Sequence, residues 1–581
     1  VKPHALGALL AAGAILVIDL FIGDFRSGQL SLFLVLALIT VSLDLVWGFT
    51  GILSLGQSVP FGIGAYVMAK ITLAAPELGL LAVAAAIVVG AGAAFVIAQA
   101  AFRRRLSNIV VALLTFMLPL TIEAIVRQWQ DVTGGFNGLS GIPPLHLGVY
   151  QLGDRAQDVV ISVVAVLTIA GAMALVRRPL GSVLIGIRDN ERRTAALGYD
   201  TIALKIWIFT VAGGIAGLAG GLYAPRTAFV FPGLFGFVFA TNLVLWTLIG
   251  GRGTILGPVI AALVINFATA TLADVWLETW VLATGVIFVA AVIVMPEGLI
   301  PAGRRVLGMP ARVGVTPAFS VTRPADRDDG GHDVLAVDGL SVRYGPFVAI
   351  DGLTMTMAEP QLQCVVGPNG AGKTTLLDIL GGQQVPTSGR VHVLGADMTA
   401  RRSWEFARRG VGRKFQSPQV FTALTVGENL AVASWGPTGT FTSLVAGGWE
   451  VSISSGSEAV LERSGLGAQL GRMAGELSHG EKQWLEIAMA MVGDCRLLLL
   501  DEPTAGLTAG ESQEAATMLR ALHERYGFPV VVVEHDMAFI RSVADRVTVL
   551  ARGVVLADGT VAEMEANPQV RALYLGDGTG P

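Results

Sequence analysis

A polytopic α-helical membrane domain followed by an α/β domain with a phosphate-binding loop is the fold class that the sequence predicts. Three observations carry it. Only 14% of the 581 residues are charged and 53% are hydrophobic, whereas a soluble domain carries about 25% charge. That apolarity is confined to the first half, where long Ala, Val, Leu and Ile runs end near Met295; charge density rises after about Arg323. Residues 367–375 read GPNGAGKTT, directly after the strand-like run LQCVV and before the helix-like TTLLDIL, which is the context a phosphate-binding loop needs. The expected division is residues 1–300 transmembrane, 301–333 linker and 334–581 nucleotide-binding.

Apolar segments long enough to cross the ~30 Å hydrocarbon layer lie near residues 5–22, 31–49, 78–101, 108–127, 157–176, 204–224, 235–250, 254–272 and 280–296. A further piece from Gly51 is apolar but broken by Gly, Ser, Gln and Pro, so roughly eight to ten spans are expected. The start, VKPHALGALLAAGAILVIDLFIG, reads as a first membrane helix rather than a secretory signal, because more spans come directly after it and no small-residue cleavage site does. Basic clusters at Arg103 to Arg105, Arg177 with Arg178, Arg188 with Arg192 and Arg193, and Arg304 with Arg305 place those loops in the cytoplasm. Glu77, the stretch from Gln128 to Asp158, and Asp274 with Glu278 then fall on the other side.

Residues 301–333 mix Pro, Gly, Arg and Asp without apolar periodicity, the composition of a flexible linker. Beyond Val334 short β-type runs (LQCVVG, RLLLLDE, PVVVVEH, RVTVLAR) alternate with helical stretches, as in a largely parallel sheet. Cys364 and Cys495 sit inside such runs without metal-ligand neighbours and read as buried thiols. The net charge of −4 gives no reason to expect nucleic-acid binding.

The glycines of G-x-x-x-x-G-K-T let backbone N–H groups curl around phosphates, Lys373 neutralises the β- and γ-phosphates, and Thr374 offers a hydroxyl to Mg²⁺. Candidate ATP contacts in the loop are therefore Gly367, Asn369, Gly370, Gly372, Lys373, Thr374 and Thr375. Downstream, RLLLLDEP ends a four-leucine strand on Asp501, suited to the Mg²⁺ shell, and Glu502, suited to polarise the attacking water. ATP and Mg²⁺ are the cofactors these residues call for.

LSHGEKQWLEIAMAMV, from Leu477, resembles the LSGGQ signature of the ATP-binding-cassette (ABC) superfamily, and the likeness covers about Leu335 to the C-terminus. The resemblance implies that Tyr344 stacks on adenine and that Gln416 in GRKFQ couples the γ-phosphate and its metal to the membrane domain. It also implies that His535 in VVVEHD contacts the γ-phosphate, so that Glu502, Gln416 and His535 form the catalytic set, with Thr374, Gln416 and Asp501 around the metal. Ser478 and Gly480 would cap the phosphate held by an opposing subunit, using the positive end of the helix they open. The chain departs from the pattern at His479 and Glu481, where Gly and Gln are usual, and at Thr508, where Asp is usual after TAGL.

The membrane half resembles the permeases of the branched-chain amino-acid and urea importer group, through DLVWGFTGILSLGQ (Asp44 to Gln57) and GIRDNERRTAALGYDTIALKIWIFTVAGGIAGLAGGLYA (Gly186 to Ala224). In the details of its motifs the chain looks most like the urea-type members. The polar segment RDNERRTAALG is suited to dock on the ATPase as a short coupling helix, with Arg188, Asn190, Glu191 and Gly198 as its contacts, and the glycine-rich span after it permits close helix packing. Asp44, Gln57, Glu123 and Asn266 are polar groups within spans and hence candidates for the solute path; Glu123 has Arg127 one helical turn on.

Together these features describe a permease fused to an ATPase: a subunit of an ATP-driven importer that takes a small polar solute, urea or a short amide or a branched-chain amino acid, from an extracytoplasmic binding protein. The alternative is an ABC exporter or lipid flippase half-transporter, against which stand the short inside loops. A regulatory ATPase or ATP-gated channel would lack the catalytic acid, and Glu502 is present. The expected location is the inner (plasma) membrane, in contact with lipid, with the ATPase in the cytoplasm. A second permease and a second ABC ATPase, or a second copy of this chain, complete the assembly.

Overall fold

The computed structural model describes residues 23–275 except 105, the short stretches 285–286, 289–290 and 293–308, and residues 317–322 and 333–575. The expected span near 5–22 lies outside the described residues, and that near 280–296 does so for the most part. The chain divides into two compact units, Val1–Leu184 with Ile202–Val313 and Ile185–Thr201 with Gly314–Pro581.

In the first unit, helices run Asp24–Thr50, Ser58–Ala74, Gly79–Phe102, Asn108–Gln128, Asp154–Val176, Thr201–Thr227, Phe237–Gly250 and Leu256–Val275. Among the described residues, six helical stretches are long and apolar enough to cross a membrane; two of the roughly eight to ten spans expected lie wholly or mostly outside those residues. Asp24–Thr50 is the most enclosed of the six. The interrupted piece is a break between helices: Gly51 ends the preceding helix in the left-handed region (φ 76°), and a 3₁₀ turn at Leu55–Gln57 leads into Ser58–Ala74. The glycine-rich span works by close approach. A Cβ on Gly64 would stand 2.3 Å from the Gly217 carbonyl oxygen, and one on Gly90 would stand 2.7 Å from Gly217 Cα, so only bare backbone lets these helices touch.

Two of the four path candidates are enclosed structural groups. Asp44 accepts from Gly253 N at 2.6 Å and Ile255 N at 2.9 Å, fastening the turn between Phe237–Gly250 and Leu256–Val275. Gln57 accepts from Ser42 Oγ at 3.1 Å, and Ser42 Oγ also donates to the Ala212 carbonyl at 2.7 Å. Glu123 pairs with Arg127, and Asn266 donates to Ala262 O at 2.7 Å within its own helix.

The second unit is built on a six-stranded sheet in the order Val411–Lys414, Leu497–Asp501, Val530–Val533, Leu362–Val366, Arg546–Ala551, Val554–Gly559. The first five are parallel and the last is antiparallel. The runs LLLLD, VVVV and LQCVV are buried along their whole length, as central parallel strands with both faces covered must be. An antiparallel sheet of Ala396–Asp397, Ser388–Val393, Leu335–Tyr344 and Phe347–Met357 shares a core with it. Within the stretch expected to be linker, the structure departs from expectation. Helix Leu299–Val306 crosses the 301 boundary, and Ala318–Thr322 is a strand paired in parallel with Glu450–Ser454. The pairing is a tertiary contact that composition does not report.

Candidate functional site

Four neighbouring parallel strands end at the same edge of the sheet, and each delivers one group as it leaves. Leu362–Val366 runs into Gly367, Val411–Lys414 into Phe415 and Gln416, Leu497–Asp501 into Glu502, and Val530–Val533 into Glu534 and His535. Loops beyond the carboxyl ends of parallel strands are where such sheets hold ligands. The register, Asp501 opposite Val533 and Val533 opposite Val365, brings these groups level.

The loop after Leu362–Val366 turns on two glycines that no other residue could replace at that spot. A Cβ on Gly367 (φ 155°) would lie 2.2 Å from Leu550 O, and one on Gly372 (φ 99°) would lie 2.7 Å from Ala349 O. Asn369, Gly370 and Thr374 are exposed, and Thr375 is half-buried. Lys373 opens the helix Lys373–Leu380 and folds back so that Nζ donates to Gly367 O at 2.6 Å and Pro368 O at 3.1 Å. Burial holds its ammonium below the usual lysine range, against the pull of Glu502 and Asp501. A cation resting on the carbonyls of a glycine-rich loop that leads into a helix N-terminus is the arrangement of a phosphate cradle.

Asp501 is buried, and burial pushes its carboxyl up to about 6 despite Arg413. Its Oδ1 has no hydrogen-bond partner among the described residues, an orphaned acceptor of the kind a hydrated cation satisfies. Glu502 adopts φ 44°, in the left-handed region, held by its N–H donating to Val533 O at 2.9 Å. Gln416 Nε2 donates to Glu502 Oε2 at 3.0 Å, and His535 Nδ1 lies 3.9 Å from Glu502 Oε1. The three residues read from the sequence as the catalytic set are thus brought together. Tyr344, at the end of Leu335–Tyr344, is half-exposed and donates to Gln384 Oε1.

Sequence reasoning missed the charges beneath this layer. Glu534 is buried and accepts from Thr504 N at 3.1 Å, from Thr504 Oγ and from His535 N at 2.8 Å, locking the turn after Glu502 to the one carrying His535. Lys414 is buried with Nζ donating to Phe415 O at 2.9 Å and to Asp501 O and Glu502 O at 3.3 Å. For Glu534 the available signal was a charged residue directly after the all-apolar run Val530–Val533, where charge survives only with partners; Lys414 ends the mixed run VGRK and gave no such signal.

Ser478 and Gly480 begin the helix His479–Met491. Ser478 Oγ accepts from Glu481 N at 3.2 Å, and Glu481 Oε2 accepts from Ser478 N at 2.7 Å, a reciprocal cap. The Glu481 departure therefore keeps the cap, and its carboxylate also meets Arg472 Nη1 at 3.0 Å. Thr508 caps Ala509–Tyr526 in the same way, with Glu511. His479 lies against Gly506, and Gln483 Nε2 donates to Ala505 O at 2.7 Å.

The segment Ile185–Thr201, which holds the stretch RDNERRTAALG expected to act as a coupling helix, folds as part of the ATPase unit. Of the residues expected to touch it, Asn190 Nδ2 donates to Gln419 Oε1 at 2.5 Å and Gly198 O accepts from Arg408 Nε at 3.0 Å. Glu191 accepts from Thr201 Oγ at 3.0 Å, and Arg188 meets its neighbour Asp189 at 3.4 Å. Asp189, Tyr199 and Arg193 were not singled out. Asp189 accepts from Ala423 N at 3.0 Å, the Tyr199 hydroxyl donates to Val432 O at 2.6 Å, and Arg193 is fully buried.

A phosphate cradle, an acidic pair and a capped signature helix, in a chain that begins with a set of apolar membrane helices, define an ABC transporter subunit with its permease and ATPase in one polypeptide. Residues 26–295 match the family model of the branched-chain amino-acid transport system permease component, and residues 350–505 match that of the ABC transporters. The ATP-binding protein BraF of high-affinity branched-chain amino-acid transport in Pseudomonas aeruginosa is 35% identical over 42% of this chain and 98% of its own length. The corresponding LivG of Escherichia coli is 34% identical over the same shares. A solved ATP-binding cassette of an ABC transporter in its ADP conformation shares 27% identity over 42% of this chain and 99% of that one, at a TM-score of 0.37. The chain belongs to the family of the branched-chain amino-acid transport ATP-binding proteins, with a permease component of the same kind fused ahead of the ATPase. It is an inner-membrane protein whose ATPase is cytoplasmic and couples ATP hydrolysis to transport, and its family works with partner permease or ATPase subunits and a binding protein. Nothing in these relatives specifically supports the urea-type resemblance.

Proposed function

We propose that this chain is the permease and ATPase of an importer for branched-chain amino acids, and that its site residues act in defined roles. ATP with Mg²⁺ supplies the bond whose cleavage drives the cycle. The loop Gly367 to Thr375, Asn369 included, turns its N–H groups and the Lys373 ammonium to the phosphates. Thr374, Gln416 and the orphaned Oδ1 of Asp501 are the oxygen donors for the cation, and Tyr344 lies under the adenine. Glu502 receives the proton of the attacking water on its carboxylate, held in place by Gln416, and His535 contacts the terminal phosphate. The observation that carries this reading is the convergence of Gln416, Glu502 and His535 at strand ends of one sheet edge, in a chain that also contains a permease.

Ser478 uses its side chain on its own helix and leaves that helix's N–H end to a phosphate bound by another subunit. Each nucleotide then lies between two ATPases, so a second ATPase and a second permease are required. A mixed assembly with separate permease and ATPase subunits is favoured over the homodimer, because the fusion joins one member of each kind. Substrate assignment to branched-chain amino acids rests on the relatives' names, and the urea reading rests on the resemblance of GRKFQ, LSHGEKQWLEIAM and LLLLDEPTAGLT in the ATPase and of the permease motif Asp44 to Gln57. Vesicles reconstituted with the binding protein and given ATP on the cytoplasmic face decide between them. Accumulation of radiolabelled leucine but not urea is expected, and the reverse would overturn the substrate assignment while leaving the importer.

A further inference from the structure

Arg193 comes from the segment between two membrane helices, yet it lies wholly inside the ATPase unit, 0% exposed, and meets the equally buried Glu486 at 3.6 Å. Its Nη1 donates to Arg413 O and its Nη2 to Glu486 O at 3.1 Å. Glu486 is on the helix that Ser478 opens, and its Oε1 also accepts from Phe415 N at 3.1 Å, one residue before Gln416. Arg413 in turn donates to Asp378 Oδ1 at 2.6 Å, in the helix that Lys373 opens. One cation is thereby tied to the signature helix, to the strand that presents Gln416, and through Arg413 to the phosphate loop.

A carboxylate this deep persists only with a counter-charge. Two further cations flank this pair: Lys414 acts on Glu486, and Arg413 stands beside Arg193. The Lys414 ammonium is committed to the carbonyls of Phe415, Asp501 and Glu502, and Arg413 to Asp378. Among the described residues, Arg193 is the cation in direct ion-pair contact with the carboxylate.

We infer that Arg193 is the positioning residue through which the permease acts on hydrolysis: it supplies the counter-ion of Glu486, and Glu486 holds the backbone at Phe415 that aims Gln416 at Glu502. The two ends of the segment continue into the membrane unit. A movement there that shifts Arg193 uncovers the carboxylate, and the signature helix and Gln416 respond together. This rests on the transport reading but not on which solute is carried.

The test compares wild type with Arg193→Lys, Arg193→Met, Glu486→Gln and the Arg193→Met/Glu486→Gln double variant, each in the complete reconstituted complex. ATP hydrolysis is read with and without solute-loaded binding protein, together with solute taken up per ATP. Arg193→Met should lower solute-stimulated hydrolysis about tenfold or more, since it strands a buried charge, and should bring the stimulation ratio toward one. Arg193→Lys should keep part of the ratio. The double variant should regain at least about threefold over Arg193→Met, because removing the stranded charge relieves its penalty. If Arg193→Met fails to assemble, assembly restored by Glu486→Gln supports the pairing, and assembly not restored overturns it. Full stimulation in Arg193→Met, or losses that simply multiply in the double variant, also overturns it. A wild-type complex without ATP-driven uptake would instead defeat the transport reading.

Discussion

Replacing Glu534 with Gln changes almost no volume and removes one charge, so its cost can be worked from the bonds. The carboxylate accepts from Thr504 N and Oγ on one oxygen and from His535 N on the other. Glutamine keeps one acceptor oxygen, and its NH₂ must then face an N–H donor. One charge-assisted bond is lost, about 1.5–3 kcal/mol, and one donor is left unsatisfied, about 1–3 kcal/mol, for roughly 2.5–6 kcal/mol together. For a domain of this size each kcal/mol shifts the midpoint by about 2–4 °C, so Glu534→Gln should unfold the ATPase roughly 5–24 °C lower. Scanning calorimetry of the nucleotide-free complex measures this, and hydrolysis should fall about tenfold or more because His535 is the next residue. A midpoint within about 2 °C of wild type would refute the role of this carboxylate as the tie between the two turns.

Glu502→Gln should retain ATP binding and lower hydrolysis by about 10²–10⁴-fold, checked by nucleotide titration beside phosphate release; near-normal turnover would remove Glu502 from its role. Lys373→Ala should weaken nucleotide binding itself by roughly 10–100-fold, the value of one charge-assisted contact, read by titration with a fluorescent nucleotide. Asp501 titrates at about 6 in the folded state and in the ordinary carboxyl range when unfolded. The folded state therefore holds the proton longer, and nucleotide-free stability should fall by up to ~3 kcal/mol as pH rises through the window from about 4 to 6. Asp501→Asn should abolish that slope in denaturant titrations at each pH while losing Mg²⁺-dependent hydrolysis. Asp44→Asn should cost about 3 kcal/mol or more, because an amide cannot accept from both Gly253 N and Ile255 N, seen as faster thermal aggregation of the detergent-solubilised complex.

The nucleotide loop, the acidic pair, Gln416 and His535 were legible because each sits in a contiguous run bordered by a recognisable strand or helix. Their convergence depends on strand order, which a chain does not display, but parallel β-runs of this kind make it a natural outcome. Asn190 and Gly198 were legible as contacts because the segment is polar between apolar spans. Arg193 was not, since it reads as one more basic residue of an inside loop and only tertiary packing reveals that it is enclosed with Glu486. Asp44 misled for the opposite reason: a carboxylate in a span is costly, and here its compensation is two backbone N–H groups 209 and 211 positions later. Ala318–Thr322 was obscured by the Pro, Gly and charge around it, which outweigh a five-residue run in any window.

The chain passes between its two units three times, at Leu184/Ile185, Thr201/Ile202 and Val313/Gly314. In a machine of separable parts, the occupancy of a permease by its ATPase depends on the cellular amounts of each. Here both halves are made in equal number from one message, and reseating of the Ile185–Thr201 segment is a unimolecular event at an effective concentration of about millimolar. Dilution, uneven synthesis and exchange with a foreign ATPase therefore lose their influence on this pairing. Selection on the segment is freed from maintaining affinity and falls on how the motion is timed.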